Sequence, residues 1–283
     1  MQYYKIIHRT YYNYSANVTL GAHNLLLRPR EDYELRIESF NLKITPEATL
    51  LWHRDVEGNS VAIANFTLPT SQLVIESEVI IQQHNESPLD FLVSDYALSY
   101  PFNYQGEDNI LLSAYRILPD QETLNVINKW IANFWKPSEK IQTYMLLQRI
   151  SEHIFQTLSY KAREEPGVQS ALQTLSYGTG SCRDFAFLFM QAVRSLGLAS
   201  RFVSGYLYAP LMAAEIGSTH AWAEVYLPGA GWKGFDPTIG KIVGSDHIAV
   251  AVARLPEVVP PISGSFVGVA VSTLNVGVWV SQC

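Results

Sequence analysis

The first hundred residues carry short runs in which apolar and polar side chains alternate. Residues 35–44 alternate in this way, residues 74–81 form another run rich in Val and Ile, and residues 57–59 are typical of a hairpin turn. Alternation with a period of two predicts strands with one buried face, and repeated short strands separated by turns favour two packed sheets. We therefore expect residues 1–100 to form a β-rich N-terminal domain with a sandwich architecture.

The spacing of apolar residues changes after residue 100. Residues 120–135 and 137–159 have the period of amphipathic helices, and Asp120 stands where it can cap the first of them. Residues 185–196 are apolar nearly all round, which is typical of a helix buried inside a domain, and Gly197 is a natural stop. The sequence therefore predicts a central buried helix that follows two amphipathic ones.

Three strand-like runs follow that helix, at residues 199–208, 220–227 and 232–235. A turn signal at residues 228–231 joins the last two runs into an antiparallel hairpin. A buried helix packed on an antiparallel sheet gives an α+β core, which we assign to residues 101–283. Within it, residues 255–283 form a tail rich in Pro and Val with strand-like composition, and this tail could add strands to either domain.

The composition is that of an ordinary globular protein. The chain has 283 residues, of which 48% are hydrophobic and 16% are charged, and this length can hold two modest domains. A net charge of −6, without a basic cluster, argues against binding to nucleic acid. No apolar run reaches the length of a membrane span, and the first residues lack the organisation of a signal peptide, so we expect a cytoplasmic protein with no membrane partner.

Cys182 stands where a glycine-containing loop meets the predicted buried helix; Cys283 is the other cysteine, and we expect no disulfide framework. In the first turn of a helix, unpaired N–H groups and the helix dipole favour an anion, and so a thiolate. Gly178 and Gly180 would let a substrate carbonyl approach the Cys182 N–H, which could stabilise an oxyanion. The alternative is that Cys182 is a packing residue, since free cysteine is often buried.

Two polar residues at the ends of the hairpin strands favour the chemical interpretation. His220 begins one strand, and Asp236 follows the other. In an antiparallel hairpin these ends lie side by side, so the two side chains could meet, although the length of the turn leaves the register open. Together with Cys182 they would supply a nucleophile, its base and the group that orients the base. The same three residues could instead bind zinc, but they lack the closely spaced ligand pairs of zinc motifs.

Several segments of the chain resemble a known family. The chain resembles the bacterial transglutaminase-like superfamily, often described as cysteine proteases, and the β-rich region that precedes the core of that superfamily. The resemblance lies at residues 8–14, 25–30, 182–186, 201–206, 220–225 and 232–238. The resemblance implies a papain-like core. It also implies roles for three residues: Cys182 is the nucleophile, His220 is the general base and acid, and Asp236 orients the histidine.

The reaction that this resemblance implies passes through a thioester on Cys182, with loss of an amine. Water then gives hydrolysis, which we favour because the sequence shows no second binding site. A primary amine would instead give acyl transfer, as in a protein-glutamine transglutaminase. We expect a peptide or protein substrate and neither cofactor nor metal; in particular, the chain has no aspartate-rich loop of EF-hand form. A non-catalytic interaction module is the other alternative, and the presence of all three polar residues argues against it.

Overall fold

We describe the fold from a computed structural model, which covers residues 2–84, 87–163, 165–209 and 219–283. The helices of these residues are α1 (Gly106–Leu111), α2 (Gln121–Ile131), α3 (Thr143–Thr157), α4 (Ala171–Tyr177) and α5 (Cys182–Ser195). The strands are β1 (Gln2–Leu20), β2 (His23–Leu25), β3 (Leu35–Thr45), β4 (Thr49–Arg54), β5 (Ser60–Asn65), β6 (Thr70–Gln83), β7 (Ser99–Tyr100), β8 (Ile141–Gln142), β9 (Ser159–Tyr160), β10 (Thr179–Gly180), β11 (Ser200–Leu207), β12 (His220–Leu227), β13 (Gly231–Asp236), β14 (Lys241–Ile242), β15 (His247–Ala253), β16 (Ile262–Ser263), β17 (Phe266–Val267) and β18 (Ser272–Gln282).

Two antiparallel sheets in the N-terminal part of the fold share one apolar core. In the first sheet, β6 lies between β3 and β1, and β17 and β18 pair with the other edge of β1. In the second, the order is β16-β2-β5-β4. Leu73 and Ile75 of β6 are buried in the same cluster as Leu25 of β2 and Ala62 of β5. The alternation read in the sequence therefore directs one face of each sheet into this cluster.

The strands after residue 255 pair with these N-terminal sheets. Strand β16 pairs with β2, whereas β17 and β18 pair with β1. The β18 register runs from Tyr4 opposite Gln282 to Tyr14 opposite Ser272. The tail thus adds its strands to the N-terminal part of the fold, while the division of the chain at residue 100 stays a prediction.

The remaining five-stranded sheet carries helix α5 on one face. Its strands are all antiparallel, in the order β14-β13-β12-β11-β15. Ala221, Ala223 and Val225 of β12 share a buried cluster with the helix, and Phe189 of α5 stacks on Phe235 of β13 with the ring centroids 5.5 Å apart. Helices α2, α3 and α4 also contact α5. The apolar surface predicted for residues 185–196 is thus covered by the sheet on one side and by helices on others.

Helix α3 begins later than the sequence predicts. The predicted helix runs from residue 137 to 159, but Ile141 and Gln142 are extended and pair with β7. Thr143, the first helical residue, donates its hydroxyl to the Ala97 carbonyl at 2.6 Å. Pairing with the preceding segment therefore overrides the helical pattern at this end. In the described residues, none of the helices has both the length and the apolar character needed to cross a membrane.

The N-terminal sheets pack against the outer part of the five-stranded sheet. Tyr206 of β11 and Ile248 of β15 lie in a buried cluster with Ile6 and Val79 from the N-terminal sheet. The Asn59 side chain exchanges two hydrogen bonds with the backbone of Val252, at 2.8 and 2.9 Å. These bonds occupy backbone groups that the edge strand β15 would otherwise leave unpaired.

Candidate active site

Cys182 is the first residue of α5, and its neighbours form a capped helix start. Ser181 precedes the helix, and its N–H and hydroxyl both donate to Asp184 Oδ2 at 2.8 Å. An acidic residue at the third helical position is favourable here, because it accepts hydrogen bonds from the N-cap and complements the helix dipole. The short polar sequence between Gly180 and Phe185 therefore fixes where the helix begins, and so where the thiol lies.

Cys182 is largely buried. Only 8% of the residue is exposed, and it belongs to the same apolar cluster as Phe185 and Ala186. The cause is the way α5 packs: its first turn lies against the sheet and the flanking helices instead of projecting into solvent.

The fold itself requires glycine at the two positions shortly before Cys182. Gly178 ends α4 in the left-handed conformation, with a φ of 63°. A Cβ on Gly180 would lie 2.9 Å from the Asp184 Cβ and 3.0 Å from the Phe185 ring, so this position is occupied by the helix. Close packing against α5 therefore explains the glycine at position 180, and the approach of a substrate carbonyl stays a prediction.

His220 and Asp236 meet across the β12–β13 hairpin. Leu227 pairs with Gly231, so three residues form the turn, and Ala223 pairs with Phe235. This register places His220 and Asp236 diagonally on one face of the sheet. His220 Nε2 lies 2.6 Å from Asp236 Oδ2, and the contact that the sequence left open by register is made without a bulge between the two strands.

The electrostatics of this pair favour charge on both groups. Burial by itself lowers the pKa of His220, but the charge of Asp236 and the hydrogen bond to it raise that pKa, and Cys182 raises it further, to about 10. Burial acts to raise the pKa of Asp236, but His220 and a second histidine, His247, hold it well below its usual range. Asp236 is fully buried, and a carboxylate in such a place needs these donors to remain charged.

Cys182 also affects the pKa of His220. A side-chain hydrogen bond with Cys182 is one of the causes that raise the pKa of His220. Because Nε2 faces Asp236, Nδ1 is the ring nitrogen left for the sulfur. The imidazole therefore contacts a carboxylate through one nitrogen, and a contact of the other nitrogen with the thiol stays a prediction.

His247 is a member of this site that the sequence interpretation did not include. It begins β15, and its Nε2 lies 3.1 Å from the same Asp236 Oδ2 that contacts His220. The available signal was the same one that pointed to His220, a histidine at the start of an apolar strand. Tyr160, at the end of β9, also lies close enough for the charge of Cys182 to affect it: burial raises the pKa of Tyr160 and Cys182 raises it further.

Within the described residues, one group has the composition of a metal site. His220, Asp236 and His247 each offer a ligand atom, and these atoms lie within 4.8 Å of one another. The zinc alternative drawn from the sequence used Cys182 in place of His247. In this geometry both histidine Nε2 atoms donate to Asp236, so a metal would have to replace the two protons that make those hydrogen bonds.

The connector before α4 is tied to the start of α5. Asp184 Oδ1 accepts from the Arg163 guanidinium and from the Gln169 N–H, both at 2.7 Å. Arg183 donates to the backbone carbonyls of Arg163 and Glu165. The helix turn that carries Cys182 is thus cross-linked to the connector between β9 and α4; residue 164 of that connector lies outside the described residues.

Two parts of the chain match known sequence families. Residues 4–82 match the bacterial transglutaminase-like N-terminal region, and residues 137–237 match the transglutaminase-like superfamily. An uncharacterised protein of Mycobacterium tuberculosis, Rv2569c, is 28% identical over 275 residues, which cover 92% of this chain and 86% of that protein. An uncharacterised protein of Mycobacterium leprae, ML0607, is 25% identical over 284 residues, which cover 98% of each chain.

The fold is also similar to a solved structure. A protein from Cytophaga hutchinsonii, described as a "putative cysteine protease", matches with a TM-score of 0.74 and 18% identity, over 99% of this chain and 90% of that one. At this identity the likeness concerns the fold alone. The match at residues 137–237 includes Cys182, His220 and Asp236. The resemblance of this chain to the transglutaminase-like superfamily, in its core and in its N-terminal region, is therefore confirmed.

Proposed function

We propose that the protein is a thiol enzyme that cleaves amide bonds of peptides or proteins through a thioester on Cys182. The observation that carries this proposal is the position of His220, which is hydrogen-bonded to Asp236 and raised in pKa by both Asp236 and Cys182. An imidazole held between a carboxylate and a thiol is the arrangement that nucleophilic catalysis by cysteine needs.

The reactive form of Cys182 in the proposed reaction is a thiolate beside the His220 imidazolium. With a pKa of about 10, His220 carries a proton on each ring nitrogen at neutral pH. Its positive charge and the N-terminus of α5 both stabilise a negative charge on the Cys182 sulfur.

In the first half of the reaction, the Cys182 thiolate attacks the carbonyl carbon of the amide. The carbon–nitrogen bond breaks as His220 transfers its Nδ1 proton to the departing nitrogen, which leaves a thioester and a free amine. Asp236 stabilises the imidazolium and holds its orientation, and it does not take the proton. Backbone N–H groups in the first turn of α5 are the donors available to the oxyanion.

In the second half, an acceptor attacks the thioester and His220 takes its proton. The sulfur–carbon bond then breaks, and the thiolate and imidazolium are restored. With water the product is a carboxylic acid, and with a primary amine it is a new amide. We favour water, because hydrolysis needs no second binding site.

A digest of a diverse peptide library tests the proposal. Wild-type protein and the Cys182→Ala and Cys283→Ser variants are incubated with the library, with and without a primary amine, and the products are identified by mass spectrometry. Cleavage by wild type and by Cys283→Ser, and none by Cys182→Ala, supports the proposal. Cys283 is exposed, and its N–H donates to the Tyr3 carbonyl of β1, so the Cys283→Ser variant controls for the loss of a thiol elsewhere in the chain. Efficient incorporation of the amine at low concentration would change the acceptor to an amine. Equal turnover by all three proteins would overturn the enzyme assignment.

A further inference from the structure

His247 contacts the same carboxylate oxygen as His220. Asp236 Oδ2 lies 2.6 Å from His220 Nε2 and 3.1 Å from His247 Nε2. The other oxygen, Oδ1, accepts the N–H of Thr238 at 2.9 Å. Asp236 is fully buried, and His247 is 7% exposed, so solvent contributes little to either group. Three donors from the protein therefore determine the orientation of this carboxylate.

The hydrogen-bond pattern fixes the tautomer of His247. The Gly244 N–H donates to His247 Nδ1 at 3.4 Å, so Nδ1 is an acceptor. A carboxylate oxygen accepts only, so the hydrogen between Nε2 and Asp236 belongs to the imidazole. His247 thus donates its Nε2 proton to Asp236.

Trp222 holds the His247 ring in place. The two rings meet edge to face, with centroids 5.2 Å apart, and Trp222 also lies 6.1 Å from the His220 ring. A Cβ on Gly205 would lie 2.7 Å from Trp222, which indicates how closely the indole is packed. His247 is therefore a rigid donor and not a side chain that is free to turn away from Asp236.

We infer that His247 is a positioning residue, which holds the Asp236 carboxylate so that Oδ2 stays directed at His220. This inference rests on the proposed function, because orientation of His220 matters to a reaction only if His220 takes part in one. His247 contacts the carboxylate through Nε2, and within the described residues no hydrogen bond joins it to Cys182, so we infer that it acts on the sulfur through Asp236 and His220. Oriented in this way, the imidazole presents Nδ1 to Cys182.

The test compares two amides of different reach at position 247. His247→Gln places an N–H near the position of Nε2, whereas the shorter side chain of His247→Asn stops near the position of Nδ1. We measure the rate at which iodoacetamide alkylates Cys182 from pH 5 to 10 by peptide mapping, with Cys283 as the reference thiol in the same molecule. We also measure kcat and KM for a peptide that the library digest identifies. Thermal unfolding shows whether each variant folds, and His247→Leu takes the place of His247→Asn if that variant does not.

We expect the rate of Cys182 alkylation at pH 6 to fall on the order of 10-fold in His247→Asn, as for other hydrogen-bond partners of functional residues, and to stay close to wild type in His247→Gln. We expect kcat to fall in the same order with KM unchanged. Equal alkylation profiles in all three proteins, with peptide turnover intact, would overturn the positioning role. The expected order of alkylation without any peptide turnover by wild type would overturn the proposed reaction and support the positioning role.

Discussion

Asp236 lies diagonally across the β12–β13 hairpin from His220, on the same face of the sheet. Ala223 pairs with Phe235, so the next pair along the ladder would place Asp236 opposite Trp222, two residues from His220. Side chains on such a diagonal are within reach of each other, and here Nε2 and Oδ2 are 2.6 Å apart. The turn of three residues between the strands therefore sets the electrostatics of the site, because a register shifted by one residue would put the two groups on opposite faces of the sheet.

The first prediction concerns stability at alkaline pH. The pKa of His220 is about 10 in the folded protein, against a usual value of 6.5. Its interaction with Asp236 therefore stabilises the fold fully below pH 6.5, and this contribution is lost as the pH rises to about 10. We expect the free energy of unfolding, measured with urea, to fall by a few kcal/mol over this interval because of this group.

The control for this prediction is His220→Gln, which removes the titrating group. Its free energy of unfolding should be lower than that of wild type at pH 6.5 and should depend less on pH up to 10. Parallel curves for the two proteins would contradict the raised pKa of His220.

The second prediction concerns stability at acid pH and rests on His8. This residue is 2% exposed, and burial lowers its pKa from 6.5 to about 4. Its ring is hydrogen-bonded to the Tyr206 hydroxyl at 2.9 Å and to Thr10 at 3.1 Å. The fold thus favours the neutral ring, and this contribution is complete above pH 6.5 and is lost as the pH falls to about 4. The expected loss is about 3 kcal/mol.

The measurement is the difference between wild type and His8→Gln in the free energy of unfolding, followed from pH 7 to 4. His8→Gln should show the shallower decline. His84→Gln, which replaces an exposed histidine, should follow the wild-type curve. If His8→Gln also follows the wild-type curve, His8 is not the group that responds.

The third prediction concerns Asp184, the acceptor that holds the start of α5. Asp184 is fully buried and lies 2.7 Å from Arg163. Replacement by Asn removes the charge that pairs with the guanidinium and exchanges one acceptor oxygen for a donor. We expect Asp184→Asn to lower the free energy of unfolding by about 3 kcal/mol and to reduce the alkylation rate of Cys182.

The matched control is Asp120→Asn, at the first turn of α2. Asp120 also accepts from a backbone N–H, that of Thr123, but it is exposed and has no cation beside it. Asn is a good N-cap residue, so this change should alter stability by no more than a few tenths of a kcal/mol. Equal effects of the two substitutions would show that the buried ion pair contributes nothing beyond an ordinary cap.

The fourth prediction concerns Gly205, which packs against Trp222 next to the site. Its Cβ would contact the Ile248 carbonyl and would lie 2.7 Å from Trp222, which packs against His247. We expect Gly205→Ala to lower the free energy of unfolding by about 1–3 kcal/mol, because the strand and the indole must move apart. Gly244→Ala is the control, since its Cβ would lie 3.7 Å from Pro88 in ordinary contact. A Gly205→Ala variant as stable as Gly244→Ala would contradict this packing.

The sequence predicts elements better than contacts between them. The period of apolar residues indicates a helix after Cys182 and a hairpin from His220 to Asp236, and both are present at Cys182–Ser195 and in β12–β13. The spacing of apolar residues reflects which side chains of an element are buried, and this spacing can be read directly from the sequence. The register of the hairpin depends on the conformation of the turn at residues 228–230, and the sequence leaves that open.

Two features of the structure could not be predicted from the sequence. His247 reaches Asp236 because β15 lies in the same sheet as β13 although β12 and β11 separate them, and no local pattern indicates that approach. The tail strands, such as β18, are strand-like in sequence, but an edge strand can pair with any free edge of suitable length. Its pairing with β1 is determined by where the chain returns after β15.

The central claim is that Cys182 forms a thioester, and trapping that intermediate tests it most directly. The Cys283→Ser variant, in which Cys182 is the remaining thiol, is mixed with p-nitrophenyl acetate at pH 6, quenched with acid after short times, and weighed by intact-protein mass spectrometry. We predict rapid addition of one acetyl group, located on Cys182 by peptide mapping and removed by neutral hydroxylamine. The double variant Cys182→Ala, Cys283→Ser should gain none. Acetylation at the same rate with and without Cys182, or none on Cys182 in the folded protein, would contradict the account.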